Sequence, residues 1–193
     1  LKEHMNILNS KENINGDKIK IILGSPAASE GLSFLRVREI HILDPWHNLN
    51  RLEQVVGRGI RRCSHKDLSI EKRNTTIYYY ASISDDDIES IDLKTYRIAM
   101  NKMKKIAKVE SVIKKNSIDC NLMKSNNIIK KNVIFEKRLI KTSKNKTLKI
   151  DLYDKDNSRN CNYSICDYTC APSLDKHLKK DEIDTDTYNI IYA

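Results

Sequence analysis

The chain has 193 residues, of which 39% are hydrophobic and 32% charged, so it can form a folded core and is not wholly disordered. No apolar run approaches the roughly 20 residues of a membrane span, and the first residues do not form a signal peptide. We therefore expect an intracellular protein without a membrane partner. The five cysteines do not resemble a secreted disulfide framework, so reduced thiols are expected.

The positive charge is concentrated in the middle of the chain. The net charge is −1 over residues 1–93, +14 over 94–149 and −4 over 150–193, which together give +9. A concentrated basic stretch indicates contacts with phosphates, because the release of counterions drives binding to a polyanion. The alternative is a solvated helix face.

Strands and a helix alternate in the first 84 residues. Strands are predicted at 18–23, 37–43 and 75–81, with a small, polar loop between the first two. From Asn48 onward, apolar residues at near-helical intervals predict a helix; they are Leu49, Leu52, Val55, Val56 and Ile60. This alternation favours a largely parallel sheet. Since the chain begins with Leu1 and no hydrophobic strand precedes residue 19, we expect the N-terminus to be a cut.

The rest of the chain has a different character. Residues 85–115 start with acidic side chains and end with lysines around an apolar stripe, which predicts a long amphipathic helix whose stripe is core. A second helix is predicted near 126–140, and a weak strand at 147–152. We expect three regions: an α/β domain at 1–84, a helical basic extension at 85–150, and a cysteine-containing acidic tail at 151–193.

The most informative string is Gln-x-x-Gly-Arg-x-x-Arg, formed by Gln54, Gly57, Arg58 and Arg61. A guanidinium group delivered from a second domain can stabilise the charge on the γ-phosphate of ATP during phosphoryl transfer. Arg58 and Arg61, one helical turn apart, are placed to reach one polyphosphate together. Gly57 leaves room for a close approach, and Gln54 can hydrogen-bond a phosphate, the attacking water or a carboxylate.

This string resembles motif VI of superfamily-two helicases, and the upstream segment Gly24-Ser25-Pro26-Ala27-Ala28-Ser29-Glu30-Gly31-Leu32-Ser33 resembles their motif V. The strand before Asp44-Pro45-Trp46 also fits the strand that precedes motif VI in that family. The resemblance implies a RecA-like helicase C-terminal domain, which is a parallel sheet with flanking helices.

The resemblance also implies roles for single residues. Arg58 and Arg61 correspond to the arginine-finger positions and Gln54 to the first residue of motif VI, so these three are the expected catalytic residues. The expected ATP-binding residues are Gly31, Ser33 and Gly57, and the expected nucleic-acid contacts are Ser25 and Pro26. Many family members have an acidic residue at the position of Ser33, so a ribose contact there does not follow. Turn capping is the alternative for Ser25 and Ser33.

A narrower resemblance covers residues 19–170. The motif V-like loop, the segment Asp44-Pro45-Trp46-His47, and the segments 92–96 and 117–122 look like those of the helicases and early transcription factor ATPases of poxviruses and other large cytoplasmic DNA viruses. It implies that the intact protein is an ATP-dependent helicase or nucleoside triphosphatase in a virion or host cytoplasm. The implied partners are nucleic acid, with DNA favoured over RNA, and a viral RNA polymerase.

The cofactors implied by the resemblance are ATP and Mg²⁺. The chain contains no Gly-x4-Gly-Lys-Ser/Thr loop, so we expect an absent N-terminal domain to hold most of the Mg²⁺ contacts and this chain to be inactive alone. Two other functions stay open: a viral transcription factor ATPase that remodels promoter DNA, and a non-catalytic nucleic-acid-binding module.

Several further residues invite a site interpretation. Cys161, Cys166 and Cys170, with His177 or Cys120 as a fourth ligand, could bind zinc. No Cys-x2-Cys pair is present, so separate thiols are preferred and no metal site is predicted. The string Asp181-Glu182-Ile183-Asp184 spells the family's magnesium motif within an acidic tail and is interpreted as a coincidence. His41 and His47 are interpreted as packing or rim residues.

Overall fold

The secondary structure mixes helices with short strands. The structure is a computed structural model, and it describes residues 2–25, 31–83, 88–129, 131, 137–167 and 169–171. The helices are α1 (Lys2–Asn9), α2 (Leu49–Gly59), α3 (Ile91–Asn116) and α4 (Cys120–Asn127), and the strands are β1 (Glu39–Ile42), β2 (Thr76–Tyr79), β3 (Lys137–Lys141) and β4 (Thr147–Asp151). The chain divides into two units, 1–105 with 136–152, and 106–135 with 153–193. In the ranges just given, no helix is both long and apolar enough to cross a bilayer.

A parallel strand pair organises the first unit. β1 and β2 pair in parallel, with His41 opposite Tyr78, and the connection between them contains α2, as a parallel pair requires. The α/β class and the strands predicted at 37–43 and 75–81 are therefore confirmed. The core of this unit includes Ile42 of β1, Leu52 of α2, and Ala99 and Met103 of α3.

The prediction of a strand at 18–23 is wrong. Residues 19–25 form neither helix nor strand, and the side chains of Ile21 and Leu23 are 77% and 91% exposed. A strand needs a hydrogen-bonded neighbour for its backbone groups, and no strand within the described ranges pairs with this segment.

An antiparallel hairpin, β3–β4, lies where the sequence predicts the helical extension. Lys137 pairs with Asp151 at its open end and Lys141 with Thr147 at its turn, where Asn145 has a φ of +59°, a conformation that asparagine tolerates. The helix predicted near 126–140 overlaps α4 at 126–127 and is wrong over 128–129, 131 and 137–140. The strand predicted at 147–152 is confirmed by β4.

The second unit contains the end of α3, α4 and the cysteine-rich segment. α3 begins at Ile91, later than predicted: residues 88–90 are not helical, and 84–87 lie outside the described residues. Cys120 is bonded to Cys170, and Cys161 to Cys166, whereas Cys63 is free and exposed. The expectation of reduced thiols is thus wrong for four of the five cysteines, because the fold brings the Cα atoms of each pair to 5.8 and 5.0 Å, within disulfide range.

Candidate nucleotide site

Two hydrogen bonds join the motif V-like loop to the motif VI-like segment. The Arg61 guanidinium group donates to the Ser33 hydroxyl oxygen. The backbone N–H of Phe34 donates to the Arg58 carbonyl oxygen at 3.1 Å. The structure therefore brings together Ser33, Arg58 and Arg61, which the sequence analysis selects from two separate motifs.

The two predicted arginine fingers differ in their local setting. α2 begins after Asn48, whose side chain accepts a hydrogen bond from the backbone N–H of Asn50 at 3.2 Å and so caps the helix. The helix ends at Gly59, and Arg61 lies beyond it. The prediction that Arg58 and Arg61 lie one turn apart on the same helix is therefore wrong. Ile60 leaves the helical conformation, with φ −108° and ψ 85°.

Gln54 and Gly57 lie on the exposed part of α2. A Cβ atom added at Gly57 would meet nothing within 4 Å, so this position leaves the open approach that the sequence predicts. Gly31 has a φ of +74° and likewise has open space around it. Its backbone conformation, which favours glycine, is the physical reason for a glycine in the loop.

Gly59 is a position that the sequence analysis misses. A Cβ atom at Gly59 would lie 3.0 Å from Cδ1 of Ile40 and 3.3 Å from Cβ of Val37, so the end of α2 packs against β1 only because the side chain is absent. The available signal is spacing, since Gly59 lies seven residues after the buried Leu52 and shares its helical face.

Arg36 is a second residue without any sequence motif. Its side chain is 4% exposed, and its guanidinium group donates to the carbonyl oxygens of Asn9 and Ser10 at 2.6 and 2.7 Å and to the Asp67 carboxylate at 2.8 Å. Its backbone N–H donates to the Ser64 carbonyl oxygen at 3.0 Å. Arg36 thereby connects the loop after Ser33 to α1 and to the segment that follows Arg61.

Asn9, at the end of α1, supports the same loop. Its side-chain amide donates to the Ser33 carbonyl oxygen at 3.1 Å, and its side-chain oxygen accepts from the Leu35 N–H at 2.9 Å. The backbone from Ser33 to Leu35 is therefore held by the side chain of Asn9.

Comparisons with known proteins find similar helicases and nucleoside triphosphatases. A protein provisionally named ATP-dependent RNA helicase, from Acanthamoeba polyphaga mimivirus, is 42% identical over 122 residues, which are 63% of this chain and 21% of that protein. A provisionally named helicase from Invertebrate iridescent virus 3 is 33% identical over 90% of this chain and 16% of its own length. Nucleoside triphosphatase I of Melanoplus sanguinipes entomopoxvirus is 37% identical over 60% of this chain and 18% of its own length.

The chain is a relative of viral helicases. It spans only about one fifth of the length of these relatives, between 16% and 21%. No family model and no solved structure matches it.

In this relative of viral helicases, the site contains positively charged hydrogen-bond donors. Arg58 and Arg61 carry guanidinium groups, which suit phosphate oxygens, whereas the nearby Arg51 lies over the Trp46 ring at 4.3 Å. Among the residues that the structure describes, no group of three or more His, Cys, Asp or Glu side chains is arranged to hold a metal ion. The guanidinium groups of Arg58 and Arg61 are therefore chemically suited to a phosphate ligand.

The other candidates contribute less to the site. Ser25 is exposed, and Pro26, His177 and 181–184 lie outside the described residues. His41 and His47 are both exposed, which agrees with the interpretation as rim residues. The sulfur atoms of Cys161, Cys166 and Cys170 are used in the two disulfides and are not available as thiolate ligands.

Proposed function

We propose that this chain is the C-terminal motor half of an ATP-dependent nucleic-acid helicase or translocase. It would have a RecA-like fold through about residue 84 and a basic extension after it. ATP and Mg²⁺ bind between this domain and a separate N-terminal domain, closure brings Arg58 and Arg61 to the γ-phosphate, and hydrolysis reopens the cleft. The observation that carries this proposal is the contact between Ser33 and Arg61, which joins the two helicase-like motifs in one surface.

The geometry supports a phosphate role for Arg61. Its guanidinium group is exposed enough to reach a ligand and is held by a neutral hydroxyl group. A γ-phosphate oxygen is a stronger acceptor for a guanidinium group than a hydroxyl oxygen, so bound ATP would draw Arg61 away from Ser33. The segment with Ser25 and Pro26 would then transmit this movement of Arg61 to a bound nucleic-acid strand. The proposed nucleic acid is DNA rather than RNA, and the proposed protein partner is a viral RNA polymerase.

The test is the ATPase rate of the intact protein with Arg58→Ala or Arg61→Ala. Loss of an arginine finger lowers the rate of phosphoryl transfer by roughly 10³-fold or more, so each variant should show a loss of this size. Arg62→Ala is the matched control, because Arg62 is adjacent and exposed but outside the motif. An unchanged rate in Arg58→Ala would favour the non-catalytic nucleic-acid-binding module instead.

A nucleoside triphosphatase that remodels promoter DNA without processive unwinding is the second candidate. It is favoured by the relatives named nucleoside triphosphatase I. A strand-displacement assay on the intact protein separates the two candidates, since only the helicase should release a labelled strand in proportion to the ATP hydrolysed.

A further inference from the structure

The β3–β4 hairpin presents a dense positive surface. Its 15 residues include one acidic side chain, Asp151, and six basic ones: Lys137, Arg138, Lys141, Lys144, Lys146 and Lys149. Each five-residue strand is about 16 Å long, so these cations lie within the length of a few nucleotides. Asp151 lies 3.6 Å from Lys137, and four of the other cations, Arg138, Lys144, Lys146 and Lys149, are exposed.

The other basic element, α3, carries its charge at lower density. Its eight basic and two acidic side chains are spread over 26 residues, a length of about 39 Å. Arg97 of this helix is also held by Glu89 through two hydrogen bonds of 2.7 Å. Electrostatic attraction for a polyanion is therefore stronger per unit length on the hairpin than on α3.

The hairpin is anchored to the strand that leads to the nucleotide site. The Lys141 carbonyl oxygen accepts from the Arg38 guanidinium group at 2.5 Å and from the Asn74 side chain at 3.1 Å. The Ser143 hydroxyl group donates to the Glu39 carboxylate. The hairpin and Arg58 belong to the same compact unit, so a nucleic-acid strand held on the hairpin would lie on the unit that carries Arg58.

Aromatic rings lie beside the turn of the hairpin. The Lys144 ammonium group is 5.2 Å from the centre of the Tyr78 ring, which stacks on His41 at 4.7 Å. Tyr80 is 44% exposed, and its hydroxyl group is 2.9 Å from Nδ1 of His41. Tyr78 itself is half-buried, whereas the rings of His41 and Tyr80 are exposed. Exposed rings near cations are typical of surfaces that bind single-stranded nucleic acid, and binding of an acidic protein partner would not require these rings.

We infer that the β3–β4 hairpin is a contact surface for the sugar-phosphate backbone of a single nucleic-acid strand, separate from the motif V-like loop. The inference rests on the proposed function, which is the reason to expect a nucleic-acid ligand. The binding itself needs neither ATP nor the arginine fingers.

The test compares two triple variants of the intact protein without nucleotide. Lys144→Gln, Lys146→Gln and Lys149→Gln together remove three exposed hairpin charges, and Lys102→Gln, Lys104→Gln and Lys105→Gln remove three exposed charges from α3. Binding of a fluorescein-labelled oligo(dT) is measured against salt concentration. The hairpin variant should bind roughly 10- to 100-fold more weakly at 0.1 M salt, with a salt slope smaller by about 2, because each lost phosphate contact on a single strand removes about 0.7.

Three outcomes would overturn the inference: unchanged binding by the hairpin variant, an equal loss in the α3 variant, or competition by poly-glutamate as strong as that by unlabelled oligo(dT). Circular dichroism of both variants checks that they are folded. Failure of the proposed function gives a different result, since a protein without ATPase activity would still show hairpin-dependent binding of oligo(dT).

Discussion

At the scale of single residues, the Arg36 guanidinium group has a structural role that no sequence motif indicates. It satisfies two backbone carbonyl oxygens and one carboxylate in a position with 4% side-chain exposure. Buried carbonyl groups that lose their donor keep the full cost of desolvation. Together with the Asn9 side chain, Arg36 therefore holds the loop after Ser33 against α1.

We expect Arg36→Met to lower the free energy of unfolding by roughly 2–4 kcal/mol. The substitution keeps much of the volume but removes the Arg36 donor from the carbonyl oxygens of Asn9 and Ser10 and from the Asp67 carboxylate. The Ser10 carbonyl oxygen still accepts from the Asn13 N–H at 3.2 Å. Urea denaturation followed by circular dichroism measures the change. Arg62→Met, at an exposed position, is the control and should stay within about 0.5 kcal/mol of the parent protein; equal stability of the two variants would refute the structural role of Arg36.

The two glycines of α2 should respond in opposite ways to alanine. Gly59→Ala places a methyl group 3.0 Å from Ile40 and should destabilise the protein by about 1–3 kcal/mol through overpacking. Gly57→Ala adds a methyl group in open space and should stabilise α2 by about 0.5–1 kcal/mol. The same denaturation measurement ranks the variants, and a stabilised Gly57→Ala with slower ATP hydrolysis would support the proposed phosphate approach at Gly57.

At the scale of elements, Glu39 links the hairpin to β1. Hydrogen bonds from Ser143 and His41, with the positive charge of Lys144, hold the pKa of the Glu39 carboxyl group below its usual range. A carboxyl group whose pKa is lowered by folding stabilises the folded state above its unfolded pKa. That contribution is lost as the pH falls through the folded pKa.

This linkage predicts a pH-dependent difference between the parent protein and Glu39→Gln. Near neutral pH the parent should be more stable by about 1 kcal/mol. The difference should shrink as the pH falls below the ordinary pKa of a glutamate and through the lowered pKa of Glu39, where the parent carboxylate also becomes neutral. Unfolding by urea at a series of pH values measures the difference. A constant difference across the series would show that Glu39 does not anchor the hairpin as a carboxylate.

At the scale of the whole molecule, the oxidation state of the cysteines differs between the sequence-based expectation and the structure. The structure leaves Cys63 as the free thiol, whereas the composition favours five reduced cysteines. Maleimide labelling of the unreduced, denatured protein, followed by mass spectrometry, should add one label. Reduction should then give five labels and lower the stability of the second unit, since a 50-residue separation between Cys120 and Cys170 corresponds to about 4 kcal/mol of chain entropy. Five labels before reduction would contradict the disulfides.

The sequence by itself determined the features that depend on local periodicity and spacing. The apolar repeat after Asn48 predicts α2, and the β-forming run at 75–81 predicts β2, because helix and strand periods are visible within ten residues. The motif-like strings also select Ser33 in one string and Arg58 and Arg61 in the other, and the structure joins Ser33 to Arg61. The roles of these residues in ATP chemistry remain predictions.

Only the tertiary structure decided the features that depend on distant partners. Residues 137–141 favour a strand over a helix once they pair with 147–151 and dock on Arg38 and Glu39, about a hundred residues earlier in the chain. The burial of Arg36 and the close packing at Gly59 likewise require neighbours that no local pattern specifies. Local periodicity reports which face of an element is apolar, but the free energy of a long-range contact depends on which surface that face meets.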